Sequence, residues 1–311
     1  MSAAISTSEL TKRFPGVVAV DRLQFEVHPG EIFGLVGPDG AGKTITLRIL
    51  AGVLTPDSGS ATVAGCDIIR DPEAAKAHIS YMPQRFGLYE DLTVDENIRF
   101  YADIFGVTRT DREQRSHQLL DAADMSPFRS RLAGKLSGGM KQKLGLVCAL
   151  IHRPRVILLD EPTNGVDPVS RRDFWRILYS LLEEGIAILM STAYLDEAER
   201  CHRVALLHQG RMLFCETPAE LKMRLRGAVL SVISPEPRRL RAALADAEGV
   251  LNALLVGDGV HLVVDNAAAR IPELRTRMQV QALPFDRLEE VAPTIEDLFV
   301  AATSEADGNR T

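Results

Sequence analysis

The sequence predicts an α/β protein: a mixed-sheet core with an antiparallel subdomain and a helical insert, followed by a small α+β ferredoxin-like domain. Three observations carry this. From Ile32 to Leu207, short apolar strand patterns alternate with segments whose apolar residues recur at helical spacing, the rhythm of a parallel sheet flanked by helices. A glycine-rich turn, Gly37 to Thr44, joins one of those strands to the helix after it. Beyond about Arg226 the elements shorten and follow the order βαββαβ.

Val18 to Val27 alternates like an antiparallel strand, and Pro29-Gly30 turns it into the strand Ile32 to Val36. Thr44 to Val53 supplies the helix behind the glycine turn, and Ser60 to Val63 and Ile79 to Met82 are further short strands. A helical insert follows over residues 86–150. Val94 to Phe105 and Arg112 to Ala123 carry helical spacing, stopping near Gly106 and before Ser126-Pro127, and a third helix opens at Ser137. Alternation resumes with strand Val156 to Leu159, helix Ser170 to Glu184, strand Ile186 to Met190, helix Leu195 to Cys201 and strand Val204 to Leu207. In the second domain Val229 to Ile233, Leu251 to Val256, Val260 to Val264 and Ala282 to Asp286 read as strands, with Arg238 to Leu244 and Ile271 to Met278 as helices. The expected boundaries are residues 1–225, 226–303 and a disordered tail over 304–311.

With 311 residues, 46% of them hydrophobic, the chain can bury a large core, and its length favours two domains over one. No apolar run approaches the roughly eighteen residues needed to cross a bilayer, and the opening MSAAISTSELTKR lacks the apolar segment of a secretory signal, so a cytoplasmic protein is expected. Cys66, Cys148, Cys201 and Cys215 have no paired spacing, which suits a reducing compartment. Cys201, His202, His208 and Cys215 match no zinc-ligand pattern, so no metal cage is expected there. A net charge of −6 argues against a general nucleic-acid binder, which needs clustered Lys and Arg.

The chemistry lies in three motifs. GPDGAGKT fits G-x-x-x-x-G-K-[ST]: Gly37, Gly40 and Gly42 let successive backbone N–H groups turn inward around a phosphate chain, with Pro38, Asp39 and Ala41 completing the loop. For ATP, Lys43 would reach the β- and γ-phosphates, the Thr44 hydroxyl would ligate Mg²⁺, and the helix N-terminus would face the phosphates. The buried strand in VILLDEP ends in Asp160 and Glu161, at the edge where α/β sheets hold ligands. Asp160 is expected to bind Mg²⁺ and Glu161 to polarise the attacking water as general base. A glycine turn before a helix, or an acidic helix cap, would explain either motif alone; together they favour ATP hydrolysis. LSGGM adds a Ser-Gly-Gly turn, Ser137 to Gly139, which alone is equally an N-cap and a loop. Beside the first loop it gives one chain two phosphate-binding surfaces.

The order of these motifs resembles the ATP-binding cassette (ABC) family over roughly residues 5–225. The resemblance implies a P-loop nucleotide-binding domain that dimerises head to tail, so that Ser137, Gly138 and Gly139 contact the γ-phosphate of ATP held on a second protomer. It further implies that Gln84, in YMPQ, touches Mg²⁺ or the lytic water, that Phe14, in TKRF, lies against adenine, and that Asp167, in NGVDP, crosses the dimer interface. Phe14 is otherwise an ordinary core aromatic, and Asp167 an Asp-Pro turn.

Three departures from the family pattern qualify this. Asp39 stands where Asn is usual, and Ile45 where a second hydroxyl often meets the α-phosphate, at some cost in affinity. In STAYLDEAER the position of the switch histidine is Ala193, which can neither hydrogen-bond the γ-phosphate nor orient Glu161. Loss of one preorganised polar contact typically costs about 10²–10³ in rate, so slow turnover is expected at this chain's own site. Either a weak homodimer or a pairing with a cassette that keeps the histidine satisfies this; the second is preferred.

Phe86, Leu88 and Tyr89 are expected to meet integral membrane subunits, where the family receives coupling helices, while Phe100, Tyr101 and Phe105 are expected in the core of the insert. PTIEDLFVAAT, Pro293 to Thr303, and FGLYEDLTVDENI, Phe86 to Ile98, are similar to the ATPase subunits of two-component drug-resistance exporters. That resemblance implies an ATPase peripheral on the inner face of the cell membrane, with residues 226–303 serving dimerisation or regulation. The rival readings are a soluble ABC ATPase acting on ribosomes or nucleoprotein, and a nucleotide-binding regulator without turnover.

Overall fold

The computed structural model describes residues 2–308 and divides after Cys215 into two units. In the first, β1 (Ile5–Phe14) and β2 (Val17–Val27) form an antiparallel hairpin across Gly16, whose φ of 81° suits glycine. β3 (Ile32–Val36), buried at every residue, feeds α1 (Lys43–Leu50). β4 (Ser58–Val63) and β5 (Cys66–Asp67) complete an antiparallel sheet in the order β2-β1-β4-β5. After α2 (Pro72–Lys76) and β6 (Ile79–Met82) comes the insert, α3 (Val94–Ile104), α4 (Arg109–Ala122) and α5 (Gly138–Leu150). β7 (Val156–Asp160), α6 (Pro168–Glu183), β8 (Ala187–Thr192), α7 (Leu195–Ala198), β9 (Arg203–His208) and β10 (Arg211–Glu216) follow. The six-stranded sheet runs β10-β9-β3-β8-β7-β6, with parallel pairing from β9 across to β6.

One core joins the two sheets. Ile5, Leu10, Phe25 and Val27 from the antiparallel sheet meet Phe33, Leu35, Leu158, Leu189 and Leu207 from the other, with Leu47, Ile49 and Leu50 of α1 among them. Phe25 and Phe33 stack at 5.3 Å between ring centroids. Each such side chain contributes on the order of 1.5–3 kcal/mol by leaving water. The parallel register then sets the functional edge: Val36 pairs with Thr192, and Asp160 with Ser191. Gly37, Asp160, Glu161, Thr192 and Ala193 therefore emerge together from the carboxyl ends of three adjacent strands.

The second unit runs β11 (Ala228–Ile233), α9 (Pro237–Leu244), β12 (Val250–Val256), β13 (Gly259–Val264), α10 (Ala267–Val280) and β14 (Arg287–Val291), preceded by α8 (Pro218–Met223) and followed by α11 (Ile295–Gly308). Its strands lie in the order β12-β13-β11-β14, all pairs antiparallel, around a core that includes Leu230, Leu240, Leu262 and Met278. This is the expected βαββαβ arrangement.

The structure departs from expectation at several places. The last strand of the second unit is Arg287–Val291, not Ala282 to Asp286. Ala282 has a φ of 51°, and Leu283 N–H donates to the Met278 carbonyl (2.9 Å), so the apolar residues after α10 close the helix instead of starting a strand. The division falls after Cys215 rather than near Arg226 because α8, with Thr217 and Glu220 capping one another, groups with the second unit. The tail expected to be disordered from Ser304 is helical through Gly308, and residues 309–311 lie outside the described residues. Phe105 and Tyr101, expected in the core of the insert, instead line an apolar groove of about 370 Å³ with Phe86, Ile79 and Ile104. Among the described residues, no helix is long and apolar enough to cross a membrane.

Candidate functional site

The loop after β3 needs its glycines. A Cβ on Gly37 would strike the Leu207 carbonyl oxygen and one on Gly42 the Ala19 carbonyl oxygen, while Gly40 and Gly42 take φ of 79° and 99°. Lys43, 4% exposed, folds back over the loop and donates to the carbonyls of Gly37 (2.8 Å) and Pro38 (3.1 Å). Its ammonium also lies 3.1 Å from Glu161 Oε1. A buried cation inside a ring of backbone is a site prepared for anionic oxygens.

β7 delivers the carboxylates. Asp160, almost fully buried, accepts hydrogen bonds from Thr44 Oγ1 (2.9 Å) and Ser191 Oγ (2.7 Å) on one oxygen and from the Tyr81 hydroxyl (3.3 Å) on the other. Burial and the Asp160 charge both push the Tyr81 hydroxyl above its ordinary value. The Thr44 hydroxyl and Asp160 carboxylate are the hard oxygen donors Mg²⁺ takes, so the residues present fit that ion. Glu161 sits at φ 47°, a left-handed conformation, and its N–H donates to the Ser191 carbonyl (3.2 Å) and hydroxyl (3.0 Å). Gln84 Nε2 (3.2 Å) and Asn164 Nδ2 (3.3 Å) donate to Glu161 Oε2. Gln84, expected to touch Mg²⁺ or the lytic water, hydrogen-bonds Glu161 here rather than the Thr44 and Asp160 pair.

These groups face a cleft of about 530 Å³ lined by Phe14, Val17, Ala19, residues 39–45, Gln84 and Glu161. Phe14 is 39% exposed, with the Lys12 ammonium 5.6 Å from its ring centre, so it is a wall of the cleft and not a core aromatic. Asp39 and Ile45 line the same space. Ser137, Gly138 and Gly139 do not. Ser137 Oγ accepts the Met140 N–H (3.3 Å) and caps α5, and a Cβ on Gly139 would meet Ser170. Asp167 caps α6, accepting from the N–H groups of Val169 (3.1 Å) and Ser170 (3.0 Å), which hold its carboxyl below its ordinary value. The Ser-Gly-Gly turn and the Asp167 loop are therefore neighbours on a surface apart from the cleft.

Ala193 lies at the end of β8, on the wall of a smaller cleft of about 210 Å³ with Asp39, Glu161, Thr163, Asn164, Thr192 and Tyr194. Beneath it Glu197 is wholly buried and accepts from Thr163 Oγ1 (2.5 Å) and Thr192 Oγ1 (2.8 Å). Sequence reasoning missed Tyr81, Asn164, Ser191, Tyr194 and Glu197. The one signal available was the pair of hydroxyls, Ser191 and Thr192, closing an otherwise apolar strand.

A family profile described as ABC transporter matches residues 20–164. The probable multidrug ABC transporter ATP-binding protein YbhF of Escherichia coli (strain K12) is 45% identical over 98% of this chain and 54% of its own length, so the chain spans about half of that relative. Nod factor export ATP-binding protein I of Burkholderia pseudomallei (strain 1710b) is 36% identical, with 97% of both chains covered. A solved structure described as the ATP binding subunit of an ABC transporter superposes with a TM-score of 0.65 at 29% identity, over 71% of this chain and 92% of that one.

Proposed function

The chain belongs to the ABC transporter family, and on that premise we propose that it binds and hydrolyses ATP to power export through separate integral membrane subunits. The observation that carries this reading is the convergence of Lys43, Thr44, Asp160, Glu161 and Gln84 on one cleft at the carboxyl edge of the sheet. ATP would place its adenine against Phe14 and its phosphates in the Gly37 to Thr44 loop. Lys43 would exchange its bond to Glu161 for the β- and γ-phosphates, which frees the carboxylate to act. Glu161 then takes a proton from water at Oε1 or Oε2, and Gln84 holds that carboxylate in place. Thr44 and Asp160 would hold Mg²⁺, which when bound offsets phosphate charge.

Ser137, Gly138 and Gly139, turned away from their own cleft, would cap ATP on a second protomer, with Asp167 beside them at that junction. Ala193 supplies no γ-phosphate contact, so this chain's own site turns over slowly, whether in a homodimer or beside a cassette with an intact histidine. ATP held there still favours the closed dimer, because a ligand shifts a population by differential affinity without being consumed. The apolar groove of Phe86, Tyr101, Ile104 and Phe105 would receive a short helix of a membrane subunit, which keeps the chain peripheral on the inner face of the membrane.

Two measurements test this. Glu161→Gln should lose at least about 100-fold in turnover while still binding MgATP. The tagged chain, recovered from detergent-solubilised membranes, should bring down membrane-spanning subunits. Recovery of only ribosomal or DNA-bound partners would overturn the transport reading.

A further inference from the structure

The small cleft at Ala193 contains a hydrogen-bonded chain that the phosphate and metal machinery does not use. Asn164 Nδ2 donates to Glu161 Oε2 (3.3 Å), and the Tyr194 hydroxyl donates to Asn164 Oδ1 (3.3 Å). The order of donors and acceptors is forced. An ionised carboxylate only accepts, so Asn164 must turn its amide nitrogen to Glu161 and its carbonyl oxygen outward, where only a donor such as a phenol satisfies it. Tyr194 is fixed in turn. The Arg171 guanidinium lies 4.6 Å over its ring, within 3.6 Å of Asp196 and 3.8 Å of Glu197, and the Tyr194 N–H donates to Thr192 Oγ1 (2.9 Å). Both residues flank Ala193 in the same cleft.

Building on the reading of Glu161 as the base, we propose that Asn164 and Tyr194 are positioning residues that orient Glu161 in place of the missing histidine. Through Asn164 the pair holds Glu161 Oε2, the oxygen that Lys43 does not touch, so it keeps the carboxylate directed when Lys43 turns to the phosphates. It makes no contact of its own to the γ-phosphate. An enzyme built this way retains slow hydrolysis, not none.

The test is steady-state ATPase kinetics on the full chain in its transporter complex. Tyr194→Phe keeps the ring under Arg171 and removes only the hydroxyl; it should lower kcat about three- to tenfold with KM for ATP unchanged. Asn164→Ala should lower kcat further, and in an Ala193→His background Tyr194→Phe should cost less than about twofold, since the imidazole then shares the task. Wild-type kcat in both single variants, or an equal loss from Tyr194→Phe in both backgrounds, overturns the role of the pair. Glu161→Gln separates the two levels of argument. If it turns over like wild type, the base reading fails and the pair has nothing to position; if it is inactive while Tyr194→Phe and Asn164→Ala are both normal, only the pair's role fails.

Discussion

At Ala193 a methyl group follows directly on a strand end beside the polar groups Ser191, Thr192, Asp160 and Glu161. Ala193→His should therefore raise the ATPase rate. The gain should fall short of the roughly hundredfold that one preorganised contact supplies elsewhere, because Asn164 and Tyr194 already orient Glu161. Steady-state turnover measures it, and an unchanged rate would mean that Ala193 does not limit this site. Residues of this kind differ in how legible they are. That Gly37, Lys43, Thr44, Asp160 and Glu161 come together could be read from the chain, because it follows from motif order and strand ends. Asn164, Tyr194 and Glu197 could not, because their roles arise from the register that sets Thr192 beside Val36 and Ser191 beside Asp160.

Among the elements, the apolar runs were legible, while polar or very short strands such as β1, β5, β10 and β14 were not. β3, β7 and β8 are apolar runs that only a covered parallel strand tolerates. β14, RLEEV, is an edge strand with three charged residues, so its pattern is that of a surface loop, while the apolar stretch before it belongs to the end of α10. α11 was missed too, although it is tied to the sheet by a buried polar contact. Asp297 faces His261 Nδ1 at 3.0 and 3.2 Å and accepts from the N–H (2.9 Å) and hydroxyl (2.8 Å) of Thr294. Burial alone would raise its carboxyl. The bonds from His261 and Thr294 outweigh that and hold it below its ordinary value of 3.8. A carboxyl depressed in the folded state stabilises fully above its unfolded value and stops doing so as pH falls through the folded one. Acid unfolding followed below about pH 4 should thus show a loss that Asp297→Asn lacks. At neutral pH that variant should cost about 1–3 kcal/mol, read from denaturant midpoints, and an identical acid limb in both proteins would exclude Asp297 as its origin.

For the molecule as a whole, the decisive feature is that the Ser137 to Gly139 turn does not line the cleft that holds Lys43 and Glu161. On the proposed reading the Ser137 to Gly139 turn would complete the nucleotide site of a second protomer, and head-to-tail pairing would put one surface against the other. Gel filtration of Glu161→Gln with MgATP, alone and mixed with a companion cassette, tests this most directly. A two-protomer species should retain ATP through the column, and adding Ser137→Arg should abolish that species with ATP binding intact. ATP retained by single protomers, or no ATP-bearing dimer with any companion, would contradict this pairing.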